Sequence, residues 1–344
     1  MKSICPKCGQ PSDEGLCMGC ARESVRLLVC PESLDVTFCS VCGSKLVGGR
    51  WQYTEKPISD LASDAVNSSL FIHQEIQSPK VEISLENRGA TRYMAHVNLT
   101  GRFRDVQVEE RCQIPVKVIP TACDRCSRIA GKYFEATVQI RGSERPPSEN
   151  ELNNIKMMAQ SMADSAHKSG DQLSFIQEIK KTKGGIDIVL GSTQLGKQLA
   201  RAVYERYGGH LQESCTLAGR KDGRDIYRTT ILVRFPRLKR GDFVTYKGTI
   251  YEVTGFEGKK TIITSQDGGR RSSLSGEDAD RIEVLGNRSE AKKAVVVLED
   301  EKAIEILDPE SFRTVLAPRP RGYDVKPGDE VLVLRNGDGF IVLR

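Results

Sequence analysis

The sequence predicts a multi-domain α+β protein: an N-terminal cysteine-knuckle and β domain, a middle α+β domain, and two small β-barrels in tandem at the C-terminal end. Three observations carry this. Eight of the eleven cysteines fall into four C-x-x-C pairs. A helix–strand–helix–strand–strand order occupies residues 148–234, and from Phe235 the pattern changes to short strands between glycine-containing turns. A chain of 344 residues is long enough for two to four domains. Its 38% hydrophobic and 28% charged residues suit a soluble globular protein. No run approaches the ~18–20 apolar residues of a bilayer span. Met1-Lys2-Ser3-Ile4 leads straight into Cys5 with no apolar signal region, so a cytoplasmic location is expected.

Seven cysteines lie in the first 42 residues, and the pairs are Cys5/Cys8, Cys17/Cys20, Cys39/Cys42 and Cys123/Cys126. In an intracellular chain this pattern reads as metal ligation. C-x-x-C suits zinc because a tight turn brings two thiolates to one tetrahedral ion at about 2.3 Å. Gly9 and Gly43, each following a second cysteine, allow the positive φ of such a turn. Two pairs close one site, so two zinc ions per chain are expected. A redox C-x-x-C would sit beside a βαβ unit, and residues 1–50 show no helical period of that length. Iron–sulfur ligation brings three cysteines close together, which this sequence lacks. Cys5/Cys8 with Cys17/Cys20 is the simplest first site. Cys39/Cys42 is then left with Cys123/Cys126, a long-range staple, although an interleaved arrangement stays open. Cys30, Cys112 and Cys215 have no partner at ligand spacing and are read as buried thiols, with Cys30 a substitute ligand at most. All-cysteine sites are closed and structural; the four histidines lie away from the pairs.

Along the chain, residues 60–72 have helical spacing. Residues 81–85, 93–100, 106–118 and 132–141 alternate like strands. Residues 1–142 are therefore expected to form the zinc domain with an antiparallel sheet. Gly142-Ser-Glu-Arg-Pro-Pro-Ser148 breaks the chain. Residues 148–234 follow as the α+β domain: a helix over 148–167 with Ser148 as N-cap, a strand at 185–190, a helix over 193–207 ended by Gly208-Gly209, and strands at 211–217 and 225–234. Residues 235–286 are expected to form an SH3-like barrel and 287–344 an OB-like barrel. Lys239-Arg-Gly-Asp-Phe-Val and Lys326-Pro-Gly-Asp-Glu-Val share a turn-to-strand pattern, a match too short to establish a repeat.

The opening C-x-x-C pairs, Phe38-Cys39-Ser-Val-Cys42, and Cys123-Asp-Arg-Cys126-Ser-Arg followed by Tyr133-Phe-Glu-Ala-Thr-Val-Gln-Ile-Arg141 together resemble the NMD-three family, the nuclear export adapter of the large ribosomal subunit and its archaeal relatives. Gly185-Ile-Asp-Ile and the strand at 228–234 extend the resemblance over most of the chain. It implies an N-terminal zinc domain, a middle domain similar to a ribosomal protein and a C-terminal part similar to translation factor five-A. It also implies binding to the large subunit near the tRNA exit site and L1 stalk, as a late assembly or anti-association factor. Eukaryotic members carry a further C-terminal tail with shuttling signals; this sequence stops at Arg344 and looks like the archaeal type. Gly255-Phe-Glu-Gly-Lys-Lys260 lacks the extended basic loop that carries the modified lysine of factor five-A, so no hypusine is expected.

The formal charge of +5 permits nucleic-acid binding, and aromatic content of 6% disfavours a surface built mainly on base stacking. Between Arg220 and Arg240 eight basic residues (Arg220, Lys221, Arg224, Arg228, Arg234, Arg237, Lys239, Arg240) stand against Asp222 and Asp225. As a cluster they are candidates for phosphate contact, with a solvated hairpin and linker as the competing reading. Arg270 and Arg271, on an expected hairpin tip after Asp267-Gly-Gly, join the candidates. The single tryptophan, Trp51, reads as core or as a cap over a zinc knuckle. With no G-x-x-x-x-G-K-[ST], no G-x-S-x-G and no paired carboxylates, no enzyme is expected. A monomer whose partners are rRNA, ribosomal proteins and other assembly factors is expected. The competing class is a zinc-ribbon transcription or RNA-processing factor binding free RNA or a polymerase.

Overall fold

A computed structural model describes residues 3–12, 15–104, 106–221 and 223–344, with the backbone alone of Ser3, Met18, Lys221 and Arg224. The fold is mixed α+β and strand-rich. It divides into two compact units, residues 1–131 with 166–172, and residues 132–165 with 173–344. No helix among the described residues is long and apolar enough to cross a membrane.

The first unit is built on a six-stranded sheet in the order Arg50–Gln52, Lys45–Val47, Leu34–Cys39, Val106–Thr121, Arg92–Phe103, Ile76–Gly89. The three long strands follow the sequence alternation: the first two extend beyond it at both ends, and Val106–Thr121 starts where expected and runs three residues further. The expected sheet was antiparallel throughout. Instead, Val106–Thr121 pairs parallel with Leu34–Cys39, in the register Val116↔Leu34 to Thr121↔Cys39. That one ladder carries Cys39 beside the segment leading into Cys123. The helix Ile58–Ser69 buries Leu61, Ala62 and Val66 against Val36, Ala95, Val97, Ile114 and Val116. Burying a Leu or Val side chain here is worth about 1.5–3 kcal/mol.

In the second unit a five-stranded sheet runs in the order Ile176–Thr182, Gly185–Leu190, Ala136–Gly142, Arg224–Phe235, His210–Lys221. Residues 132–141, read from the sequence as the last strand of the first unit, supply the central strand here instead. It is antiparallel to Gly185–Leu190 and parallel to Arg224–Phe235. Alternation fixes which face of a strand is apolar and says nothing about its partner. The strand Ile176–Thr182 was missed because its alternation is interrupted by Glu178, Lys180 and Lys181. Helices Glu149–Lys168 and Thr193–Tyr207 cover one face, burying Leu152, Ile155, Leu195, Leu199 and Val203 against Val138, Ile140, Ile188, Ile231 and Val233. The first helix is capped as expected: Ser148 Oγ accepts from the Glu151 N–H at 3.3 Å, and the Glu151 carboxylate accepts from the Ser148 N–H at 2.8 Å.

Two five-stranded antiparallel sheets follow, built from residues 242–287 and 292–343. Each wraps its own apolar core, Val244, Val253 and Ile263 in one, Val296, Ile304 and Val333 in the other. Phe243, Leu334, Ile341 and Leu343 form a shared core that joins them. Arg288 adds a bidentate pair with Glu252 at 2.7 and 2.5 Å.

Candidate metal centres and basic surface

The eight paired cysteines gather into two groups, Cys5/Cys8/Cys17/Cys20 and Cys39/Cys42/Cys123/Cys126, with the sulfurs of each group within 4.8 Å of one another. Both are made from the same two parts. One is a knuckle turn: the Gly9 N–H donates to Cys5 O at 2.9 Å, and the Gly43 N–H donates to Cys39 O at 2.9 Å, with φ of +77° at both glycines. The other is a helix start. Cys17 precedes the short helix Met18–Ser24 and Cys123 precedes Asp124–Ala130, so Cys20 and Cys126 fall in the first turn. Across the parts, Cys8 Sγ lies 3.3 Å from Cys17 Sγ, and the Cys123 N–H donates to Cys39 Sγ at 3.3 Å.

The sulfurs are electrostatically frustrated as a set. A hydrogen bond from the Cys17 backbone, with others from Lys7 and Cys8, pulls the Cys5 thiol down to about 6. Burial raises Cys39, but the backbone N–H groups of Cys123, Cys42 and Val41 outweigh it and bring the thiol down to about 6. Their neighbours move the other way. Cys20 is pushed up to about 12, first by its hydrogen bond with Cys8, and Cys123 to about 11 by burial. Cys126 is raised by burial as well. One sulfur in each group, Cys5 or Cys39, is favoured as a thiolate while Cys20, Cys123 and Cys126 are held as thiols, an opposition that a cation among the sulfurs would relieve. Four soft sulfur donors at this spacing, with no carboxylate or imidazole among them, fit a closed tetrahedral site for a soft divalent metal.

The basic residues form no single patch of free charge. Arg237 donates to Asp280 O and Ile282 O at 3.0 and 2.9 Å and pairs with Glu144 at 3.2 Å, so it ties loops together. Arg240 donates to Thr254 O at 2.6 Å. Arg220 pairs with Asp225 at 2.8 Å and Arg271 with Glu257 at 2.6 Å. Arg228, Arg234 and Arg270 have no acidic side-chain partner among the described residues, whereas Lys239 is held beside Asp242, whose carboxylate accepts its backbone N–H at 2.7 Å. Arg228 is held nonetheless: its guanidinium lies over the Phe134 ring, 4.0 Å from the centroid. The side chains of Lys221 and Arg224 lie outside the described residues.

Residues 5–131 match the family description "NMD3, N-terminal domain", and residues 133–235 match "NMD3, second domain". The chain belongs to the NMD3 family. Among curated proteins no match is found. Among solved structures, a eukaryotic-type translation initiation factor 5A from Methanococcus jannaschii is 18% identical, with a TM-score of 0.21 over 31% of this chain and 89% of that one.

Two features of this NMD3-family chain differ from the sequence reading. Cys30 and Cys112 are not free thiols but a disulfide across 82 positions, packed against the sheet core. It was missed because ligand-spacing rules see only local pairs, whereas these two meet through the fold. Cys215 is exposed, not buried. Trp51 does take one of the two places expected of it, packed against Cys39, Cys123 and Cys126.

Proposed function

We propose that the chain binds the large ribosomal subunit as a late assembly or anti-association factor, near the tRNA exit site and L1 stalk, with one zinc ion in each four-cysteine group. The family match over residues 5–235 carries this reading. The cysteine groups support it by their character: closed, all-sulfur centres hold surfaces rigid and leave no open position for a substrate. The chain acts by docking, as a non-enzymatic cytoplasmic protein and as a monomer. The middle sheet, with Ala136–Gly142 as its central strand, and the joined β sheets at 242–287 and 292–343 serve as the rigid parts of the docking surface. The phosphate contacts fall first to Arg228, Arg234 and Arg270, whose charges have no acidic side-chain partner among the described residues, with Lys239, beside Asp242, as a further contact.

Tagged protein run through a sucrose gradient with purified subunits tests this. Co-migration with the large subunit is expected. Retention in the soluble fractions would exclude the proposal, and equal binding to naked RNA of many sequences would favour a free-RNA factor.

A further inference from the structure

The strands His210–Lys221 and Arg224–Phe235 are longer than the sheet they belong to. Arg224–Phe235 gains its second neighbour, Ala136–Gly142, only from Thr229 onward. Before that point Thr216↔Arg228, Leu217↔Tyr227, Gly219↔Ile226, Arg220↔Asp225 and Lys221↔Arg224 pair with each other alone. Five residues of one strand against six of the other, with Ala218 the extra residue at a register shift, make at about 3.3 Å per residue a two-stranded arm roughly 17 Å long.

The helix layer stops where the arm begins. Thr193, the first residue of its helix, donates its N–H to the Glu135 carboxylate at 3.2 Å, and the Glu135 carbonyl accepts from the Thr229 N–H at 2.8 Å. On the same face of the strand, Ile231 and Val233 are buried beneath that helix. Two residues past Thr229 the apolar alternation continues uncovered. Leu217 is 61% exposed and Tyr227 54% exposed, directly opposite each other. A purely solvated arm carries polar residues at such positions; an exposed apolar pair on a projecting hairpin marks a contact surface.

Charge selects the occupant. In sequence the segment 216–228 holds Arg220, Lys221, Arg224 and Arg228 against Asp222 and Asp225; Arg220 is paired with Asp225, and Arg228 is stacked on Phe134 with no acidic side-chain partner among the described residues. We propose that the arm formed by 216–221 and 224–228 enters folded RNA, with Tyr227 backed by Leu217 stacking on an unpaired nucleotide on one face and Arg228 holding a phosphate on the opposite face. This rests on the large-subunit reading and names the element that would read the RNA. Stacking on an aromatic face is tolerant of base identity, and an arginine fixed on a ring keeps its N–H edge for phosphate oxygens.

Affinity of the full chain for purified large subunits, measured for Tyr227→Ala, Tyr227→Phe and Leu217→Ser, tests the arm, together with a photo-crosslinking phenylalanine derivative at position 227. Tyr227→Ala is expected to weaken binding by roughly five- to hundredfold with an unchanged salt slope, and Tyr227→Phe to stay within about twofold of the parent. The crosslink is expected on rRNA. Equal affinity of Tyr227→Ala and the parent overturns the arm alone, as does crosslinking confined to a ribosomal protein. A parent chain that fails to bind subunits removes the large-subunit reading and the arm's role with it. Unchanged melting of the variants excludes misfolding as the cause, and the crosslink decides the matter should one of them unfold.

Discussion

Cys42 Sγ lies 3.6 Å from Cys123 Sγ, although 81 residues separate them. The contact depends on the parallel ladder that sets Cys39 beside Thr121. A metal held there fastens the adjoining C-terminal ends of Leu34–Cys39 and Val106–Thr121, and its binding free energy becomes folding free energy of the first unit. Cys123→Ser is therefore expected to lose one of two metal ions and to make this unit melt before the β sheets at 242–343. Since Trp51 is the only tryptophan and packs on this centre, its emission should shift in Cys39→Ser and stay put in Cys5→Ser. Identical emission in the two variants would show that Trp51 does not report on the second centre.

The Cys30–Cys112 bridge closes a loop spanning 82 positions within the same unit. Long closed loops restrict the unfolded chain most, so losing this one is expected to cost about 2–4 kcal/mol. Denaturant unfolding of Cys30→Ser with Cys112→Ser, metal retained, measures it. An unchanged midpoint for the first unit would mean the bridge adds nothing.

Salt dependence separates the basic residues. Arg228→Glu with Arg234→Glu should weaken subunit binding and flatten the salt slope by nearly one unit per lost phosphate contact. Arg237→Ala should leave the slope alone and lower the melting temperature instead, because its guanidinium bridges Asp280, Ile282 and Glu144. A flattened slope from Arg237→Ala would assign that residue to the RNA.

At the last sheet, Asp308 accepts from Ser311 Oγ at 2.7 Å, from the Glu310 N–H at 2.9 Å and from Arg335 at 3.0 Å. The Ser311 hydroxyl first, then the Glu310 N–H, with Arg335 adding to them, hold its carboxyl down at about 2. The unfolded carboxyl titrates near about 3.9, so the folded state binds this proton more weakly. The stabilisation is complete above about pH 4 and fades as the pH falls toward about 2. Melting across that range should show a steeper acid loss in the parent than in Asp308→Asn; parallel curves would contradict the role of Asp308.

The cysteine pairs were legible because their signal is local: three-residue spacing, a following glycine, and repetition. Joining Cys39/Cys42 to Cys123/Cys126 required only that every pair have a partner. What the sequence hid depends on neighbours far along the chain. The partner strands of Ala136–Gly142, the meeting of Cys30 with Cys112, and the parallel ladder at Leu34–Cys39 leave no local trace. The run from Arg220 to Arg240 looked uniform as letters. The fold sorts it, because Arg237 and Arg240 reach carbonyl oxygens while Arg228 and Arg234 alternate onto the face of their strand opposite Ile231 and Val233, with Arg228 over the Phe134 ring.

Native mass spectrometry of the full chain, compared with Cys5→Ser and Cys39→Ser, addresses the two-centre architecture most directly. Two zinc ions on the parent and one on each variant are the expected masses. A folded parent carrying no metal, a single ion, or iron would contradict it.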